Sequence, residues 1–79
     1  MQQHIEAILA SVPARLAGLR QAFPGLNFDA DDPELLSGVV ANGIDEITEA
    51  TGLAGARRDA FFAKAWKMAR RKRPDLADL

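Results

Sequence analysis

Residues 5–23 read IEAILASVPARLAGLRQAF, and this stretch decides the fold. Its large apolar residues recur at alternating steps of four and three, the spacing that places side chains on one face of an α-helix. These residues are Ile5, Leu9, Val12, Leu16, Leu19 and Phe23. Pro13 lies inside the stretch, but the spacing keeps its phase across the proline. We therefore predict one kinked helix over residues 2–22.

A second helix is predicted over residues 33–51. Asp32 stands at the N-cap, and Pro33 occupies the first helical position, where its missing N–H is not needed. The helix contains Asn42-Gly43, which is a dipeptide typical of turns. The sequence leaves two alternatives open. Either the helix breaks at 42–43 and the chain has four helices, or it continues and its glycines, Gly38 and Gly43, let another helix approach closely.

The third helix is predicted over residues 56–72, with a tail over 74–79. Trp66 lies on its broad apolar face, so we expect the indole in the core. In the loop between the first two helices, Leu26 and Phe28 are expected to anchor into the core. The fold class predicted is all-α: one domain over 1–79, built as a bundle of three or four helices with antiparallel neighbours.

The composition limits the classes of protein to which this chain can belong. Among 79 residues, 48% are hydrophobic and 27% charged, which are values of a globular chain, and no cysteine is present. Disulfides and thiolate metal sites are excluded, and we expect a cytoplasmic protein. No apolar run is long enough for a bilayer, so no membrane partner is expected. The abundance of Ala, Leu, Arg, Gly and Asp is typical of GC-rich bacterial, phage or plasmid genes.

The sequence contains few side chains that commonly act in catalysis. His4 is the one histidine, and Ser11 and Ser37 lack the glycine-flanked turn of a nucleophile elbow. We therefore predict no enzyme activity, no catalytic residue, no cofactor and no small-molecule substrate.

A calcium-loop pattern starts and then fails. Asn27, Asp29 and Asp31 alternate like the first ligands of such a loop, but Asp32 stands in place of the turn glycine and Gly38 in place of the closing glutamate. We predict no metal site, and interpret the aspartates as a group at the start of the second helix, where the helix dipole favours negative charge.

Two surfaces are candidates for binding. The charge is separated along the chain: residues 1–52 carry two basic and eight acidic side chains, and residues 53–79 carry eight basic and three acidic ones. A basic face of the third helix could meet a partner or phosphates; it consists of Arg57, Lys64, Lys67, Arg70 and Arg71. An apolar seam on the first helix could form the core or a helix–helix interface; it consists of Ile5, Leu9, Val12, Leu16 and Leu19.

Residues 44–68 resemble a helix-turn-helix unit. Ile44 to Leu53 reads as a first helix ending at Gly52, and a basic second helix follows. The resemblance implies that the second helix enters the major groove of DNA. Arg58 takes the position where such motifs bury an apolar residue, so it would need a partner there.

From the sequence we favour a non-catalytic interaction module, a small bacterial, phage or plasmid adaptor or regulator that docks a helical face onto another protein or onto itself as a homodimer. The alternative is a nucleic-acid-binding regulator using the third helix.

Overall fold

A computed structural model of the chain describes residues 2–76. Within these residues the protein consists of three α-helices and contains no strand, which confirms the all-α prediction. The helices are α1 (Gln2–Ala22), α2 (Pro33–Ala50) and α3 (Gly55–Lys72). Met1 and residues 77–79 lie outside the described residues, and with them the end of the predicted tail.

α1 runs without interruption across Pro13, as the phase of its apolar spacing predicted. Ile5, Ile8, Val12 and Leu16 are buried. Phe23, the last residue of the spacing, is 52% exposed instead. Phe23 directly follows the last residue of α1, and its ring lies against Phe28 of the loop instead of packing in the core.

α2 does not break at residues 42–43, so the four-helix alternative is wrong. The physical reason is contact with α1. A Cβ atom at Gly43 would lie 2.8 Å from Cγ2 of Ile8, closer than real Cβ contacts come. Gly43 is buried, and its missing side chain is what allows the two helices to approach at this point.

Both ends of α2 carry specific signals. At the start, the Asp32 carboxylate accepts a hydrogen bond from the backbone N–H of Glu34 at 3.0 Å, as a capping residue should. At the end, Gly52 adopts a φ of 72°. Its N–H donates to the Glu49 carbonyl at 3.1 Å, and the Leu53 N–H donates to the Thr48 carbonyl at 3.3 Å. This pair of bonds is a Schellman motif.

The three helices share one hydrophobic core, and each helix contacts both of the others. Trp66 is 8% exposed, which confirms its predicted burial. The tail contributes Leu76 to the same core. The buried apolar residues are Ile5, Ile8, Val12, Leu16, Leu36, Val39, Val40, Ile44, Ala65, Trp66, Ala69 and Leu76.

The loop between α1 and α2 differs from its prediction. Leu26 is 62% exposed and does not anchor in the core. Phe28 is half-buried, with its ring 6.4 Å from that of Phe23. The loop is held by its backbone instead, because Nη2 of Arg20 donates to the Phe28 carbonyl at 3.0 Å. A polar tie of this kind leaves the apolar side chains free to face solvent.

The close approach at Gly43 predicts opposite effects for two alanine substitutions in α2. Gly38→Ala meets no atom within 4 Å, so it should stabilise the protein by about 0.5–1 kcal/mol through helix propensity. Gly43→Ala should destabilise it, because overpacking typically costs roughly 1–3 kcal/mol. Urea unfolding followed by circular dichroism measures both changes. Equal stabilisation by the two substitutions would contradict the contact between Gly43 and Ile8.

The capping bond of Asp32 predicts a second stability change. Asp32→Ala should lower the free energy of unfolding by about 1 kcal/mol, because a donor at the start of α2 loses its acceptor. Asp31→Ala is the control, since it removes a neighbouring exposed carboxylate that holds no cap. Thermal unfolding should separate the two variants, and an equal effect of both would argue against capping.

Candidate functional site

Four basic side chains lie along one face of α3. They are Arg57, Lys64, Lys67 and Arg71, and we call them the cationic stripe. All four are exposed. Because α3 is a continuous helix, their spacing places them within one narrow sector over about 21 Å of helix length. No acidic residue interrupts this sector, so the stripe presents charge of a single sign.

The stripe differs from the rest of the basic residues in having no partner. Within residues 2–76, none of its four side chains forms an ion pair or a hydrogen bond. The other six of the ten basic residues each have an interaction; they are Arg15, Arg20, Arg58, Arg70, Lys72 and Arg73. The fold therefore pairs its cations elsewhere and leaves those of the stripe available.

Three ion pairs among the described residues join different helices, and two of these pairs also form hydrogen bonds. Lys72 of α3 donates to Glu6 of α1 at 3.0 Å, and this bond holds the pKa of the Glu6 carboxyl below its ordinary value. Arg15 of α1 donates to Glu46 of α2 at 2.8 Å and lowers the pKa of that carboxyl in the same way. Both pairs are exposed enough to contribute modestly to stability.

An open groove of about 580 Å³ runs beside the stripe, on the flank of α3 that carries Trp66. We call it the α3 groove. Its lining residues are Phe62, Ala63, Trp66, Lys67, Arg70, Arg71 and Pro74. The rings of Phe62 and Trp66 stack with centroids 6.2 Å apart and planes 9° from parallel. The groove therefore combines an aromatic wall with a basic rim.

The indole of Trp66 contains a polar group that is buried. Its Nε1–H finds no acceptor among the described residues. A buried donor without a partner carries a desolvation cost. Arg70, predicted as part of the basic face, is half-buried and lines the groove instead of joining the stripe.

The apolar seam predicted on the first helix lies inside the molecule. Ile5, Val12 and Leu16 are buried in the core, and Leu9 and Leu19 pack against it half-buried. In this fold the seam joins α1 to α2 and α3, so its buried side chains are not exposed to a second molecule.

Arg58, in the segment that resembles a helix-turn-helix, is half-buried and lies 3.6 Å from Asp45. Its charge thus has the partner that a position near the core requires.

His4, Ser11 and Ser37 are the residues that the sequence offers for catalysis. His4 is exposed in the first turn of α1. Ser11 donates to the Ile8 carbonyl, and Ser37 donates to the Pro33 carbonyl, so both hydroxyls are bound within their own helices. Across residues 2–76, no group of His, Cys, Asp or Glu side chains is arranged to hold a metal ion. Asp29 accepts from the Asp31 backbone N–H at 2.9 Å.

None of the helices in the described part of the chain has the length and apolar character needed to cross a membrane. Comparison with known protein families, curated proteins and solved structures finds no match to this chain. The case for function therefore rests on the surface of α3.

The sequence interpretation missed the α3 groove, because it assigned Phe62 and Trp66 to the core alone. A signal was present in the four-residue spacing of Phe62, Trp66 and Arg70. A line with this spacing drifts slowly around a helix, and here it leads from the apolar face toward the basic one. Pro74 then closes the end of the groove.

The cations of the stripe repel one another, so we expect them to lower the free energy of unfolding. Lys67 stands three residues from Lys64 and four from Arg71, and each such repulsive pair costs roughly 0.2–0.5 kcal/mol. Lys67→Glu should therefore raise the melting temperature at low salt, and the gain should shrink as salt screens the charges. Lys72→Glu, the same charge change on the same helix, should lower it by breaking the pair with Glu6. Thermal unfolding at low and high salt tests both; a loss of stability in Lys67→Glu would contradict the absence of partners.

Proposed function

We propose that this protein is a non-catalytic interaction module that docks an acidic partner protein on α3. The observation that carries the proposal is that every basic side chain without a partner in the described chain lies in one stripe, next to an apolar groove. Exposed charge of one sign steers encounter with a partner of opposite charge. An adjoining apolar recess supplies the burial that prolongs the complex.

The form of the surface favours a protein over a nucleic acid. Phosphates would bind the cations of the stripe, but they would gain nothing from the apolar groove beside it. Trp66 is buried and Phe62 half-buried, so neither ring is presented for stacking on bases. The net charge of −1 also gives duplex DNA little general attraction.

The stripe also suits a helical partner. Arg57, Lys64 and Arg71 follow one another at steps of seven, the repeat at which the flanking positions of a coiled coil exchange charges. An amphipathic helix with carboxylates at heptad spacing and apolar residues between them would match both the stripe and the groove.

The proposal also covers the cellular compartment and the relative direction of the helices. We place the protein in the cytoplasm, which the lack of cysteine supports. We also propose that neighbouring helices run antiparallel. Ile8 meets Gly43, while Leu19 lines a cavity with Leu35, so positions along α1 and α2 run in opposite order.

Reversing the charge of the stripe tests the proposal. The probe is an acidic amphipathic helical peptide of about three heptads, with leucines on its apolar face and no tryptophan. Lys64→Glu with Lys67→Glu should lower its association rate about tenfold or more at low salt and remove most of the salt dependence, with a smaller effect on dissociation. Lys72→Glu with Arg73→Glu has the same net charge and serves as the control. Surface plasmon resonance gives both rates.

A nucleic acid probe separates the alternative function. Duplex DNA of about 20 base pairs should not be retarded by the wild-type protein at moderate salt. Salt-sensitive retardation that the double reversal abolishes, together with no binding of the acidic peptide, would overturn the interaction module in favour of a nucleic-acid-binding regulator.

A further inference from the structure

The loop between α1 and α2 presents large apolar side chains to solvent. Phe23 is 52% exposed and Leu26 62% exposed, although burying large apolar side chains would stabilise a protein this small. The loop also has a defined shape. Its backbone is tied to α1 through Arg20, and the rings of Phe23 and Phe28 are in contact. An ordered loop with exposed apolar side chains loses little conformational freedom on docking.

The same loop carries a group of carboxylates that form no ion pair. These belong to Asp29, Asp31, Asp32 and Glu34, which lie at the exit of the loop and the start of α2. Within residues 2–76, their side chains bond to no basic group. The described chain thus has a cluster of carboxylates without ion pairs at this loop and a stripe of cations without partners on α3.

The two surfaces are also complementary in shape, since one projects apolar side chains and the other contains an apolar recess. The loop projects Phe23 and Leu26 beside its carboxylates, and α3 holds a recess lined by Phe62 and Trp66 beside its cations. The groove volume of about 580 Å³ lies in the range of roughly 300–1,000 Å³ that ligand pockets span. Within one molecule the two surfaces do not pair.

We propose that a second copy of this chain docks its α1–α2 loop on the α3 face. Leu26 and Phe23 of one copy enter the α3 groove of the other, while the loop carboxylates meet the cationic stripe. The proposal rests on the α3 face being a docking surface, as argued above, and it names the occupant that the chain itself supplies. The contact joins two different surfaces, so it either closes as a reciprocal dimer or extends from copy to copy.

Self-association at low salt is the first expected result. Sedimentation equilibrium of the wild-type protein should show a mass above that of the monomer at about 50 mM salt, and the association should weaken strongly at about 500 mM. Trp66 is the one tryptophan in the sequence and lines the groove, so its emission should change as the protein is diluted. A protein that stays monomeric at both salt concentrations would overturn the proposal.

Two variants test the two surfaces separately. Leu26→Ser with Asp31→Lys alters the loop, and Lys64→Glu with Lys67→Glu alters the stripe; all four positions are exposed, so folding should survive. Each variant alone should associate about ten- to hundredfold more weakly than the wild type. Glu49→Lys, which reverses an exposed carboxylate at the other end of α2, should leave association unchanged. An equal effect of this control would overturn the proposal.

Mixing the two variants gives the decisive result. One variant retains an intact loop and the other an intact α3 face, so the mixture should regain association that neither variant shows alone. Failure to regain it, while each variant remains folded by circular dichroism, would overturn docking of the loop on α3. Binding of the acidic peptide to the loop variant is measured in parallel. If that binding is intact while the mixture stays monomeric, self-docking fails and the function proposed above stands.

Discussion

The contact of Gly43 with Ile8 is the constraint on which the rest of the structure depends. It sets how closely α1 and α2 approach, and a side chain at position 43 would push them apart. Because the two helices are close here, the apolar residues of α1 reach the buried face of α2. That pairing forms the surface against which α3 buries Trp66. A turn at Asn42-Gly43 would have removed the contact and with it the long buried face of α2.

Charge is distributed around this core in two ways. Several basic residues are paired with a carboxylate on a neighbouring helix, as Lys72 is with Glu6. The outer face of α3 follows a different rule, since its cations repel one another and no carboxylate lies among them. Natural proteins accept such local costs at surfaces that serve a function. The contrast between paired and unpaired cations is what supports the proposal that α3 docks a partner.

Much of the fold could be predicted because its signals are local. The alternating steps from Ile5 to Leu19 defined α1, and Asp32-Pro33 and Gly52 defined the bounds of α2 to within a residue. The predicted anchoring of Leu26 was wrong, and the sequence left open whether α2 breaks at Asn42-Gly43, because both outcomes depend on contacts distant in sequence. The helical spacing predicted the basic face. It could not predict which basic side chains have partners, because a partner can lie far away in the sequence, as Glu6 does from Lys72. The groove is also lined by Pro74, which lies beyond the end of α3 and outside its helical spacing.

The separation between the stripe and the core has an evolutionary consequence. Arg57, Lys64, Lys67 and Arg71 are exposed, and none of them belongs to the hydrophobic core. Selection can therefore exchange them without passing through unfolded intermediates. Descendants of this chain can vary the stripe while the arrangement of Ile8, Gly43 and Trp66 stays fixed, so lineages should diverge first on the outward side of α3.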